Sequence, residues 1–472
     1  MSTTSSDSQG NATTGATLDR ALGPAAVMLL TFSALSPVAG VYVGGDAILH
    51  LAGTGAAIAF IVGGLISVLL ALLHAELGAA FPRAGGIYPG IGAVLGAPLA
   101  FPYLILAVPG AFAFVAFAAL GLGDYVRVLM PGWPLEVIAI VAIVLGAGIA
   151  ALHVQFGALV TGLFLAVEAA ALLLLTGVAI AHPMRPLAEL LAHPVMLDHG
   201  VLKPVAFLTL GLATVSGVWS TAGANWAMFF GEEMRDAERK IGRVIAWVGL
   251  IAAFVVAAPM VLLLMSAGDL PSILSAEAPV AAYLAETGGR TITMLVSVGV
   301  IAALFNNVIA SCMVFGRLLY STGRDGIWYA PINRLLAHLH PRLRSPLCAT
   351  LIVGAVSAVA TFLGEKSLLI FLSGDVSAYG LISVAVLIGR PRGATGRTFR
   401  APFYPVLPIL CVLFTALAVA ADWMDPDAGR PSTILLSSLF LLALAYYYAR
   451  LRNRSASWLA DAHGDRRLEQ PD

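Results

Sequence analysis

The chain has 472 residues, of which 59% are hydrophobic and 11% charged, with a mean hydropathy of +0.92. A soluble domain cannot bury such a sequence and keep a polar surface, so it reads as an integral membrane protein with many spanning helices. Basic and acidic residues number 26 each, which leaves no basic excess for a nucleic-acid partner. Long apolar blocks with Gly and Pro inside them, in place of ten-residue alternating segments, exclude an outer-membrane barrel. Cys312, Cys348 and Cys411 lie in or beside apolar segments without metal-ligand spacing, so they read as buried thiols. No metal or organic cofactor is expected.

Residues 1–22 read as a disordered cytoplasmic tail, lacking the basic start and short apolar core of a cleavable signal peptide. Apolar blocks and their breakers then predict an all-α protein with twelve spans. They fall near 23–50, 55–80, 97–121, 135–151, 156–181, 204–231, 241–266, 289–320, 346–363, 367–389, 402–421 and 431–449, followed by a cytoplasmic tail over 451–472. With the N-terminus inside, twenty Lys and Arg fall on inner segments and six on outer ones. That asymmetry places both termini in the cytoplasm and the chain in the cytoplasmic membrane. No phosphate-binding loop or large polar domain is present to drive an ATP pump. Nine scattered histidines form no catalytic constellation, so no enzyme activity is expected.

Two spans are interrupted. The first carries FSALSPVAGVYVGG (32–45), where Pro37 cannot donate a backbone hydrogen bond and Gly40, Gly44 and Gly45 follow. The sixth carries LATVSGVWSTAGANWAMFFGEE, weakened at Ser216-Gly217 and at Ala222-Gly223-Ala224. An unsatisfied backbone group in hydrocarbon costs several kcal/mol, so a break at mid-depth needs a compensating ligand or cavity water. Spans one and six correspond in two five-span halves, 23–182 and 204–389, with spans 402–450 peripheral. Interrupted helices at matching positions point to a transporter's midplane site. An amino acid there presents its carboxylate to amides near Val38, Ala39 and Gly40, and its ammonium to carbonyls near Trp219, Ser220 and Ala222. Gly40 and Gly223 let backbone approach the ligand.

Five stretches carry a wider likeness: SPVAGVYV (36–43), HAELGAAFPRAGGIY (74–88), WSTAGANWAMFFGEEMRDAERKIGRVI (219–245), GRLLYSTGRDGIWYAPINRLLAHLHPRLRSP (316–346) and RTFRAPFYPVLPIL (397–410). In this order they resemble the amino acid–polyamine–organocation transporter superfamily over roughly Gly23 to Arg450. The resemblance implies a LeuT-type fold of two inverted five-helix repeats with spans one and six discontinuous. It implies Ser36 as part of the broken first span, and Trp219 as an aromatic that covers and gates the substrate. It also places Gly110, Ala111 and Ser311 at substrate-facing positions. Asn307 shares the helical face of Ser311.

No acid or base occupies those matched positions, which favours a neutral amino acid. Glu168, mid-span in VTGLFLAVEAAALLLL, is costly to bury as a charge; it stands where many relatives carry a lysine. It is the first candidate for carrying a coupling proton, Asp375 the second, with a hydrogen bond from Glu168 to the backbone of span one as the plainer role. Arg324, in GRDG, is expected to close or brace the inner gate, with a solvated turn as its plainer role. The chain is therefore expected to be a secondary transporter of amino acids, proton-coupled. The alternatives are an amine or polyamine permease, an amino acid exchanger, or a non-transporting sensor of the same fold.

Overall fold

The computed structural model describes residues 18–130, 132–372, 375–426 and 429–452. Among them nine segments are helical, long and apolar enough to cross a membrane, and Leu135–Ala150 is a shorter apolar helix. In chain order the principal helices begin with α1 (Pro24–Leu35), α2 (Gly45–Ala52), α3 (Ala56–Ala80), α4 (Ile87–Leu95) and α5 (Ala97–Leu129). Next come α6 (Leu135–Ala150), α7 (Val154–Ala181), α8 (Phe207–Thr221), α9 (Ala237–Ser266) and α10 (Gly289–Arg324). The last are α11 (Leu347–Ala360), α12 (Gly364–Leu372), α13 (Asp375–Gly389), α14 (Val406–Met424) and α15 (Gly429–Tyr446). The long helix α10 runs through the centre, against α5, α6, α7 and α11, while α3 packs along α8 and α9.

The break in the first span is sharper than Pro37 alone requires. α1 ends because Ser36 adopts a left-handed conformation, φ 47° and ψ 88°. Pro37 then starts the next turn, where its missing N–H is no loss. Gly40–Gly44 follow as a π-helical turn that leads into α2. In the sixth span only one of the two expected weak points opens. Ser216 and Gly217 stay inside α8, and the helix stops at Thr221. Gly223 turns the chain at φ 128°, and Ala224–Phe230 resumes as a 3-10 helix.

One further expectation changes. Residues 18–22 are not a free tail: Leu22 N donates to Glu233 O at 2.9 Å, Arg235 N donates to Leu22 O at 2.9 Å, and Asp19 pairs with Arg344 at 3.3 Å. The remainder of that tail, 1–17, and of the other, 453–472, lies outside the described residues. The all-α expectation holds, with one short antiparallel hairpin, Val195–Asp198 (β1) and Val201–Pro204 (β2), ahead of span six, whose helix starts at Phe207. Thr54 fastens the hairpin: Val195 N donates to its Oγ1 at 2.8 Å. Residues 373 and 374, between α12 and α13, lie outside the described residues.

At one end of the bundle the charged motifs meet. Glu76 of α3 accepts from Arg390 Nε (2.9 Å), Thr395 Oγ1 (2.9 Å) and Ala401 N (2.8 Å), and Arg390 Nη2 also reaches it. Glu233 and Arg317 form a two-point pair, 1% and 2% exposed, and Arg317 Nη1 also donates to Met313 O at 2.7 Å. Nearer the surface, Arg324 Nη1 donates to Glu232 at 2.6 Å, and Glu232 accepts from Ala84 N at 3.0 Å. Tyr88 hydroxyl reaches Asp325 and lies 2.9 Å from Ser321 Oγ. At α9's start, an exposed hydrogen bond from Lys240 and its charge hold the Asp236 carboxyl below its usual range.

Candidate functional site

The site begins at the two breaks. The π-helical turn Gly40–Gly44 and α8 meet where Gly40 lies against Ser220; a Cβ on Gly40 would fall 2.4 Å from Ser220 O. Gly40 therefore serves the apposition of the two interrupted helices, and Ser220, whose Oγ donates to Ser216 O at 3.0 Å, is the other half of that contact. Neither lines the cavity beside the second break.

The polar groups of the first break are already occupied. Glu168, 1% exposed on α7, accepts from Val38 N at 2.9 Å and from Ser36 Oγ at 2.9 Å. Ser36 Oγ also accepts from Ala39 N at 3.4 Å, and Gly40 N donates to Ser36 O at 3.2 Å. Asn307 Nδ2 donates to Ala34 O at 2.6 Å, satisfying a carbonyl freed by the end of α1. So the amides of Val38, Ala39 and Gly40, expected to face a substrate carboxylate, are held by protein groups in this conformation. Among the described residues only one Glu168 oxygen is engaged: Oε2 is buried without a partner there, as is Ser311 Oγ. The Asp375 side chain lies outside the described residues.

The open space lies beside the second break. A cavity of about 150 Å³ is bounded by Leu35 at the end of α1, Trp219, Ala222 and Gly223 on α8 and its turn, and Gly110 and Ala111 on α5. These bring together five of the expected substrate residues; Ser36, Val38, Ala39, Gly40, Ser220, Asn307 and Ser311 stand behind the wall. The turn at Gly223 is tight, its Cα facing Leu35 so that a Cβ would meet that side chain at 3.1 Å. The Trp219 ring borders the cavity, 5.9 Å from the ring of Tyr379 on α13.

The sequence reading missed most of the wall. Tyr103, Ala107 and Phe114 line it with Gly110 and Ala111, at the three-to-four spacing of one α5 face. That face could have been extended from Gly110. Phe114, Trp226 and Phe315 form an edge-to-face cluster with centroids 4.8 to 6.0 Å apart. Such pairs add about 0.5–1.5 kcal/mol each beyond their buried area. No sequence signal brought Trp226 and Phe229, on the Ala224–Phe230 turn, to the same place as Phe315 on α10, because the two elements are distant in sequence. Asn225 supplies an amide to an otherwise largely apolar and aromatic wall, and no Lys, Arg, Asp or Glu is among the described lining residues. Gly85 lines the cavity near the Tyr88–Ser321–Asp325 contacts, so the charged end lies just beyond it.

Residues 22–447 match the amino acid permease family. The chain belongs to that family. It is similar to the branched-chain amino acid permease of Lactococcus lactis subsp. cremoris (strain MG1363), 22% identical over 86% of this chain and 89% of the relative. It is also similar to the human b(0,+)-type amino acid transporter 1, 23% identical over 84% of this chain and 80% of the relative. A third relative is the serine/threonine exchanger of Bacillus subtilis (strain 168), 22% identical over 89% of this chain and 94% of the relative. This family member is therefore a multi-pass membrane permease.

Proposed function

We propose that this permease is a secondary transporter that carries neutral amino acids with apolar side chains, by alternating access. The observation that carries the reading is the uncharged, aromatic cavity set against the interrupted end of α8. Apolar lining with few polar groups selects apolar ligands, and a cationic amine would lose its hydration there without a carboxylate in return. The named activities of the relatives, branched-chain permease and serine/threonine exchanger among them, agree with amino acid transport.

Coupling is assigned to protons through Glu168. Its Oε1 holds the break in the first span while Oε2 has no partner among the described residues. A proton on Oε2 makes the group cheap to bury; its loss demands water or a new donor, and so a rearrangement at Ser36–Val38. Twelve spans follow if the long segments Pro24–Ala80 and Leu347–Gly389 are each taken as two crossings and Leu135–Ala150 as one, beside seven other segments. On that count the distribution of Lys and Arg puts the charged end in the cytoplasm, and the two halves are inverted repeats.

Purified protein in liposomes tests the reading by counterflow. Preloaded leucine should drive uptake of labelled leucine, and phenylalanine should compete better than agmatine or putrescine. Counterflow with the amines and none with any amino acid would overturn the substrate class. Saturable leucine binding without counterflow would make the protein a sensor.

A further inference from the structure

A second cavity, of about 330 Å³, opens between α5, α13, α14 and α15 and shares no lining residue with the first. Its chemistry is graded along its length. At the joined ends of α14 and α15 it presents Asp422 and Thr433. One and two turns farther along α15 it presents Leu436, then Phe440 and Leu441, opposite Val419. From Thr433 to Leu441 the helix rises about 12 Å, at 1.5 Å per residue. The rim is open to the bundle's outside, since Val419 is 40% and Leu441 62% exposed.

A carboxylate at the mouth of an apolar slot on a membrane-facing surface is costly without a cation. Among the described residues no cation pairs with Asp422. Ser432, beside it, is committed: its Oγ donates to Ile370 O at 2.7 Å. The depth of the mouth is marked by its neighbours. Trp423 is 49% exposed, and Arg430 donates from Nε to Trp423 O at 3.2 Å with its guanidinium 5.7 Å from that ring's centroid. Exposed Trp and Arg together belong at the headgroup level of a bilayer. The slot thus has an anion at headgroup depth and an apolar wall running inward from it.

We propose that this cavity seats one phospholipid whose headgroup carries a primary ammonium, phosphatidylethanolamine being the simplest. The ammonium pairs with Asp422, its phosphate lies at the level of Arg430, and an acyl chain runs along Leu436, Phe440 and Leu441. An anionic headgroup would meet the carboxylate, and a quaternary one has no N–H to donate. The site is separate from the transport reading and does not depend on it.

Native mass spectrometry of the full chain, delipidated in detergent and given equimolar phosphatidylethanolamine, phosphatidylcholine and phosphatidylglycerol, reads the preference directly. Wild type should retain phosphatidylethanolamine at least tenfold over the other two. Asp422→Asn should lose that preference, and Val419→Phe, which fills the rim, should lower retention of the lipid while Asp422 stays in place. Equal retention of the three lipids by wild type, preference for phosphatidylglycerol, or unchanged selectivity in Asp422→Asn each overturns the proposal. Unchanged retention in Val419→Phe places the lipid elsewhere and overturns it as well.

Discussion

The charged end and the mid-bundle breaks solve the same problem in opposite ways. Both bury carboxylates. At the charged end Glu76 is met by Arg390, Thr395 and Ala401, and Glu233 by both arms of Arg317, so each has several donors and a cation. At the break, Glu168 has two donors on one oxygen, none on the other, and no cation among its described hydrogen-bond partners. A fully satisfied network fixes a geometry, whereas a half-satisfied group can change partners at small cost. The first arrangement suits a scaffold and the second a moving part.

The largest effect expected from breaking this contrast is at Gly40. A Cβ there would stand 2.4 Å from Ser220 O and 3.2 Å from Val256 Cγ1, so the interrupted helices must separate to admit it. Gly40→Val should abolish uptake in liposomes while the protein still reaches the membrane. Normal transport by a well-expressed variant would show that the close approach of the Gly40–Gly44 turn and α8 is dispensable.

Next is the buried pair. Arg317→Ala leaves Glu233 charged, 1% exposed and without its cation. Removing one partner of a buried pair costs about 3–5 kcal/mol. Chemical denaturation of purified protein should show a loss in that range, and a loss below about 1 kcal/mol would class the pair with surface bridges.

How much of this was legible in the sequence follows the same division. Apolar run length gave the helices, because bilayer thickness fixes how many residues a span needs. The breaks were legible at Pro37 and Gly223 for a backbone reason: one residue lacks an N–H and the other tolerates φ 128°. Ser36, whose left-handed conformation actually ends α1, was not, since nothing in a serine announces φ 47°. Charges were legible as dense motifs, but not who pairs with whom; Glu76 and Arg390 are far apart in sequence and meet only through packing. The cavity wall was the least legible part, because its aromatics are ordinary apolar residues until distant elements place them together.

The third effect concerns the half-satisfied group itself. Glu168→Gln keeps an oxygen to accept from Val38 N and Ser36 Oγ, and removes the titration. Substrate binding and exchange should persist, while accumulation driven by an acid-outside gradient is lost. Uptake with and without the imposed gradient, compared between wild type and variant, checks this. Equal gradient-driven accumulation would make Glu168 a structural clasp for the break and move coupling elsewhere.

A smaller effect is expected at the cavity. Trp219 and Tyr379 border it from opposite elements, and truncating the indole removes apolar contact with whatever binds there. Trp219→Ala should weaken leucine binding about tenfold, or about 1.4 kcal/mol, by calorimetry. Equal affinities would assign the ring to packing.

The smallest change in stability is expected at Arg324, and it sharpens the comparison most. Its side chain is 31% exposed and its partner Glu232 is 23% exposed, against 2% and 1% for Arg317 and Glu233. Water competes for both Arg324 and Glu232, so Arg324→Gln should cost no more than about 1 kcal/mol. Yet Arg324 joins Glu232, Asp325 and Ser321 just beyond the cavity, where Glu232 in turn holds Ala84 N. If these contacts close that end of the permease, weakening them shifts the population toward the state open there, with little change in how firmly the protein is folded. A cysteine at Ala111, in the cavity wall, reports the opening. In the Arg324→Gln background, a membrane-impermeant thiol reagent applied from the charged side should label the Ala111→Cys protein faster, while its denaturation midpoint stays near that of the parent. Unchanged labelling would leave Arg324 as a brace on the surface, with closure carried by the buried pairs.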